Sequence, residues 1–147
     1  MSALLEDMPM TLTVQPFLMF QGHGQADAAM NLYVSLFPDG KILDVERYGP
    51  GEMGLQGSIK KARFSIAGQS VVCIDSPVQH NFTFTPSFSF FIDCETNEEL
   101  DRLFATLSQD GTVFMALDDY GFSRRFGWIA DRFGVSWQIN LPFEPVG

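Results

Sequence analysis

FLMFQGHGQADAAMNLYVSLFPDG, residues 17–40, and FSFFIDCETNEELDRLFATLSQDG, residues 88–111, carry one plan twice. Slid by 71 positions, Phe17 falls on Phe88, Phe20 on Phe91, Leu32 on Leu103 and Tyr33 on Phe104. Leu36 then meets Leu107, and Asp39-Gly40 meets Asp110-Gly111. Each stretch reads as a strand, a helix and a Gly turn leading to further strands, the mark of a tandem duplication. Two copies of a unit too small to bury its own sheet must complete one another. The cleft between them is where chemistry is expected.

Outward from this pair, Val14 to Phe20 is predicted as a strand with Pro16 near its start, where a missing N–H is tolerated. Gln25 to Phe37 carries Ala29, Leu32, Tyr33 and Leu36 at helical spacing, and Pro38-Asp39-Gly40 ends it. Ile42 to Tyr48 alternates as a strand, and residues 49–57 hold four glycines and form a loop. Ile59 to Ala67 and Ser70 to Asp75 form a hairpin around Gly68-Gln69. Ser76 to Thr83 links the halves. The second copy runs from a strand at Phe84 to Asp93 into a helix that Thr96 and Glu99 open as a capping box, with Leu100, Leu103, Phe104 and Leu107 as its buried stripe. Gly111 to Leu117, Phe126 to Asp131 and Val135 to Leu141 are its remaining strands. Each half is βαβββ, module one over about 13–76 and module two over about 84–141, within one α+β domain of residues 1–147. Concave sheets are expected to face each other across a cavity. Residues 1–12 read as a loose leader.

A chain of 147 residues with 46% hydrophobic residues and 15 Phe is long enough to bury a core without disulfides. Its net charge of −9, from 18 acidic and 9 basic residues, argues against a nucleic-acid partner, whose phosphates need clustered Lys and Arg. Lys60-Lys61-Arg63 and Arg124-Arg125 read as solvated strand or loop positions. Cys73 and Cys94 sit in apolar runs as buried free thiols, which fits a reduced cytoplasm. MSALLEDMPM lacks the basic start and apolar core of a signal peptide, and no apolar run is long enough to cross a bilayer.

Four stretches carry a family resemblance: PFLMFQGHGQADAAMNLYVSLFP (16–38), KARFSIAGQSVVCIDSP (61–77), FTFTPSFSFFIDC (82–94) and FGWIADRFGVSWQINLP (126–142). The chain resembles the glyoxalase/bleomycin-resistance, or vicinal oxygen chelate, superfamily. It is most similar to the PhnB-like branch, labelled 3-demethylubiquinone-9 3-methyltransferase-like. The resemblance implies paired βαβββ modules forming a curved mixed sheet with a pocket inside. It also implies a homodimer, with exchange of elements between subunits left open.

Metal-dependent members of the superfamily place His or carboxylate ligands at four strand positions, two per module. Here the first-strand position falls on Gln15 or Pro16 and its second-module counterpart on Ser87. The last strands offer Val72 or Cys73, and Gln138. Neutral amides and hydroxyls bind transition metals poorly, so no metal and no cofactor are expected. Gln138 reads as a ligand-orienting amide or as a partner of neighbouring backbone. Trp128 and Trp137 read as core or dimer packing ahead of ligand stacking. Phe17, Cys73, Ser87, Tyr120, Trp128 and Gln138 form the expected ligand-binding set, with Tyr120–Arg125 (YGFSRR) as either a pocket cover or a plain connection. No catalytic residue is assigned. His23 and His80 lie in loops, where Asp75 could orient His80. Cys73 has no basic neighbour to activate it as a nucleophile. Gly22-His23-Gly24 is too sparse for a dinucleotide or S-adenosylmethionine loop, so the residues lend the methyltransferase label no support.

The expected function is therefore metal-independent binding of an unidentified small molecule in a Phe-lined cleft, with no nucleic-acid or membrane partner. The alternatives are a metal-dependent lyase, isomerase or dioxygenase, the methyltransferase of the family label, and a structural dimer module.

Overall fold

The computed structural model describes residues 11–145. The expected leader falls largely on residues 1–10, outside the described residues. Module one contains β1 (Phe17–Phe20), α1 (Gln25–Leu36), β2 (Lys41–Arg47), β3 (Ile59–Ile66) and β4 (Gln69–Asp75). Module two contains β5 (Phe90–Asp93), α2 (Asn97–Ser108), β6 (Thr112–Asp118), β7 (Arg125–Ala130) and β8 (Ser136–Leu141). Each makes a four-stranded mixed sheet, ordered β1-β4-β3-β2 and β5-β8-β7-β6. In both, the first strand pairs parallel to the last and the others pair antiparallel. This is the α+β architecture expected, with two βαβββ units.

Strand periodicity decides which side each helix covers. Leu18 and Phe20 on β1, Ala62 and Phe64 on β3, and Val71 and Cys73 on β4 are all buried on the α1 side. Trp137, Ile139 and Leu141 on β8 and Ile129 on β7 are buried on the α2 side. The opposite side of each sheet is its open face. The turns close alike in the two copies. A Cβ on Gly40 would run into the carbonyl oxygen of Val34, and one on Gly111 into that of Ala130, so only glycine fits either position.

The helix starts differ. α2 is capped locally: the Thr96 hydroxyl accepts from Glu99 N (3.1 Å), and the Glu99 carboxylate reaches back to Glu95 N, one residue beyond the expected capping-box partner. α1 begins at Gly24 with no side-chain cap of its own. The buried Asp75 at the end of β4 serves instead, accepting from Ala26 N and Ile59 N at 2.9 Å each. Asp75 is thereby committed to backbone and does not orient His80, which stacks on Phe82.

Two strands are shorter than expected. β1 starts at Phe17 because Pro16 has no N–H, although its carbonyl still accepts from Val72 N. β5 starts at Phe90 because residues before it turn, with Phe88 N bonded to Thr85 O. The duplication also slips within the copies. Phe17 pairs with Val72, and Phe91 pairs with Gln138, each partner lying four residues past its hairpin glycine, Gly68 or Gly134. Phe17 therefore corresponds to Phe91, an offset of 74, while 71 holds for the buried helix pairs Ala29 with Leu100 and Leu36 with Leu107. Module two passes from strand to helix in three fewer residues.

The modules meet through their helix-side layers. Tyr33 of α1 stacks edge-on against Trp137 (5.0 Å) and Phe133, and Phe20 packs against Phe84 and Phe133. At their centre, Asp131 accepts four hydrogen bonds: from Tyr33 Oη (2.6 Å), Trp137 Nε1 (2.9 Å), Phe133 N and Val135 N. Arg102 of α2 donates to the last carbonyl of α1, at Leu36. Among the described residues no helix is long and apolar enough to cross a membrane.

Candidate functional site

The open face of the second sheet is built in rows. Phe91, Gln138, Trp128 and Met115 lie side by side across its four strands, as do Asp93, Asn140, Phe126 and Asp118. Ser89 and Ser136 begin a third row, with hydroxyls 2.6 Å apart. The rings touch one another: Phe91 with Phe126 (6.3 Å), Phe114 with Trp128 (5.4 Å) and Phe122 with Phe126 (5.0 Å). Tyr120 stacks on Phe122 and donates to Ala116 O, which folds the loop after β6 over one end of the face. Phe91 and Phe122 are each more than half exposed, at 55% and 57%.

Polar groups are threaded between these rings. Trp128 Nε1 donates to Ser136 Oγ (2.8 Å), Gln138 Nε2 to Ser89 Oγ (3.3 Å), and Asn140 Nδ2 to Asp93 Oδ1 (2.9 Å). Asn140 is 7% exposed, and its Oδ1 is buried without a partner. The equivalent face of sheet one differs in character. Its central row is Phe17, Val72, Arg63 and Asp44, with Arg63 and Asp44 3.4 Å apart as an ion pair. Arg63 thus holds the place that Trp128 holds in module two.

The sequence-derived set divides accordingly. Trp128 and Gln138 are direct ladder neighbours, and Tyr120 closes over the same face through Phe122 and Phe126. Phe17 occupies the matching row of the other sheet, half exposed. Ser87 lies before β5 and bonds Thr85 rather than facing the sheet interior. Cys73 belongs to the opposite side: it is fully buried under α1, where desolvation pushes its thiol up to about 12, and Val72 takes the open-face position. Cys94 is likewise buried and pushed up to about 12. Phe91, Phe122, Phe126 and Asn140 lie on the same face and stand outside the sequence-derived set. Alternation outward from Gln138 and Trp128 identifies the strand members once the covered side is known.

The paired open-face positions of the first and last strands are Phe17 and Val72, and Phe91 and Gln138, three apolar side chains and one amide; of the first-strand positions the resemblance implied, Gln15 accepts from Ser70 Oγ and Ser87 bonds Thr85. The carboxylates of the open face, Asp93 and Asp118, stand on its two edge strands, about 14 Å apart at the usual strand spacing. Among the described residues no three His, Cys, Asp or Glu side chains converge. This donor set does not fit a divalent cation.

A cavity of about 400 Å³ also opens at the module junction, between β5 on one side and Pro16, Phe37, Ile66 and Gln69 on the other. It takes in Ser89 and Phe91 at the edge of the aromatic face. The expected cavity enclosed by two concave faces is thus not closed within the chain itself, because the modules join through their helix sides.

Residues 12–140 match the family described as 3-demethylubiquinone-9 3-methyltransferase. The structure is similar to that of the PhnB protein from Bacillus cereus, at 47% identity with a TM-score of 0.85, covering 88% of this chain and 99% of that one. A glyoxylase/bleomycin resistance protein/dioxygenase domain from Frankia sp. shares the fold at 16% identity and a TM-score of 0.60, covering 91% and 99% of the two chains. Protein YjdN of Escherichia coli (strain K12) is 30% identical over 84 residues, 57% of this chain and 56% of that protein, so the match spans about half of the curated relative's length.

Proposed function

The chain belongs to the 3-demethylubiquinone-9 3-methyltransferase family, within the PhnB-like part of the glyoxalase/bleomycin-resistance superfamily, and from that premise we propose that it binds a small aromatic or apolar molecule without a metal. The site is the open face of sheet two. The observation that carries this reading is the aromatic group around Gln138, in which exposed Phe91 and Phe122 lie against buried Phe126 and half-buried Trp128, on a sheet side that no helix covers. Apolar walls with a few placed polar groups are the usual anatomy of a small-molecule site, and a contiguous exposed aromatic patch marks a binding surface. The unsuitable donor set at the four equivalent strand positions supports binding without a cation.

The working form is a homodimer. Strands β2 and β6 are outer edges of their sheets, and Ile42, Leu43 and Val45 on one and Val113 and Phe114 on the other are exposed. Long apolar edges are normally covered, and a second copy of the chain is the simplest cover. The buried free thiols support a reducing compartment such as the cytoplasm.

Thermal-shift titration of untagged protein with indole and 2-phenylethanol tests the reading. Stabilisation is expected with EDTA present as well as without it, none is expected with S-adenosylmethionine, and Trp128→Ala should abolish it. Stabilisation that disappears in EDTA and returns with zinc or manganese would overturn the metal-independent reading.

A further inference from the structure

Each side-chain nitrogen on the aromatic face makes one hydrogen bond to the protein: Trp128 Nε1 to Ser136, Gln138 Nε2 to Ser89, and Asn140 Nδ2 to Asp93. The two amide oxygens are left without a donor. Asn140 Oδ1 is buried and accepts nothing, and among the described residues no donor reaches Gln138 Oε1. Asp93 is exposed and gives one carboxylate oxygen to Asn140, leaving the other open. Asp118 adds a second carboxylate at the far edge, holding Asp119 N. The guanidinium groups of Arg124 and Arg125, which precede Phe126, are spent on Pro142 O (2.7 Å) and Glu144 (3.1 Å), and on Asn97 and Asp101.

A buried amide oxygen without a donor is costly in an unliganded protein and is satisfied when a donor arrives. Here it lies in the same row as Phe126 and Asp93, and Phe126 is in turn packed by Phe122 and Tyr120. Aromatic faces attract cations, and a carboxylate beside them strengthens a charge-assisted hydrogen bond. Taking the aromatic face as the ligand site, we infer that its ligand carries a protonated amine or a comparable N–H cation, seated among Phe91, Phe122 and Phe126 and donating to Asn140 Oδ1 and the Asp93 carboxylate. Because Oδ1 is buried in the unliganded face, the donor reaches it through a rearrangement of the side chains around Asn140.

The test compares three probes with one ring and different heads, 2-phenylethylamine, 2-phenylethanol and 3-phenylpropionate, by NMR titration at neutral pH. The side-chain N–H signals of Trp128 and Asn140 are followed. The amine is expected to bind about tenfold tighter than the carboxylate, with the alcohol between them. Asn140→Leu and Asp93→Asn, read on the Trp128 signal, should each remove the amine's advantage over the alcohol. Asp93→Asn, at an exposed edge position, keeps the test decisive where Asn140→Leu impairs folding. Equal binding of amine and alcohol would overturn the inference while leaving the aromatic site standing. Tighter binding of the carboxylate would overturn it in favour of Arg63 on the other sheet. If none of the three moves the Trp128 signal, the proposed site itself falls.

Discussion

Asp131 ties the two modules together through hydrogen bonds. Its carboxylate gathers a phenol, an indole and two backbone amides from a buried position, and two of those donors, Tyr33 and Trp137, come from different modules. Burial raises its pKa, and the hydrogen bonds from Tyr33, Trp137, Val135 and Phe133 pull it back down without cancelling the rise. Asp131→Ala leaves these buried donors unpaired and should cost about 3 kcal/mol in urea unfolding, against about 1 to 2 kcal/mol for Tyr33→Phe. The sign of the pH effect follows from the raised pKa. The folded state holds the proton more tightly than the unfolded chain, so this group's contribution is complete below about pH 4 and is lost as pH rises through its folded value. The stability of the wild type relative to Asp131→Asn should therefore decline with pH over that window, and an unfolding series at several pH values would reveal a rise instead if the shift ran the other way. Cys73 shows a limit of reading residues singly. One position separates it from Val72, and in a strand that step exchanges core for open face. With its thiol pushed up to about 12, it should stay unreactive toward a thiol reagent at pH 8 until the protein unfolds.

At the scale of elements, the helices were legible because Ala29, Tyr33 and Leu36, and Leu100, Leu103 and Leu107, recur at the spacing of a single buried stripe. The Thr96 cap was legible too, since a hydroxyl three residues before an acid has one obvious use. Thr96→Ala should cost about 1 kcal/mol, measurable by chemical denaturation. What caps α1 could not be read locally, because Asp75 lies 49 residues from the amide it serves. The same distance problem hid most of the site. Trp128 and Gln138 stood out as large or polar residues in apolar strands, but their place beside each other depends on the β7–β8 register. A single sliding offset sets Phe91 against Phe20, whereas the strand register sets it against Phe17, because the strand-to-helix connection is shorter in module two.

For the molecule as a whole, duplication explains both the likeness of the halves and their division of labour. The two sheets share a topology, yet equivalent rows carry Arg63 with Asp44 in one and Trp128 with Met115 in the other. Module one carries the charged pair in this row, and module two the aromatic residue. A second copy resting on the exposed edge strands should give a sedimentation mass twice 16.4 kDa. Val113→Lys would be expected to shift it toward the monomer, and an unchanged mass would remove that edge from the interface. The account turns on where an organic ligand binds and whether a metal must come with it. An amide NMR titration with 2-phenylethylamine in excess EDTA tests both at once. Shifts are predicted to gather at Phe91, Trp128, Gln138 and Asn140. Shifts confined to Phe37, Ile66 and Gln69 at the module junction, or seen only after manganese or zinc is restored, would contradict it.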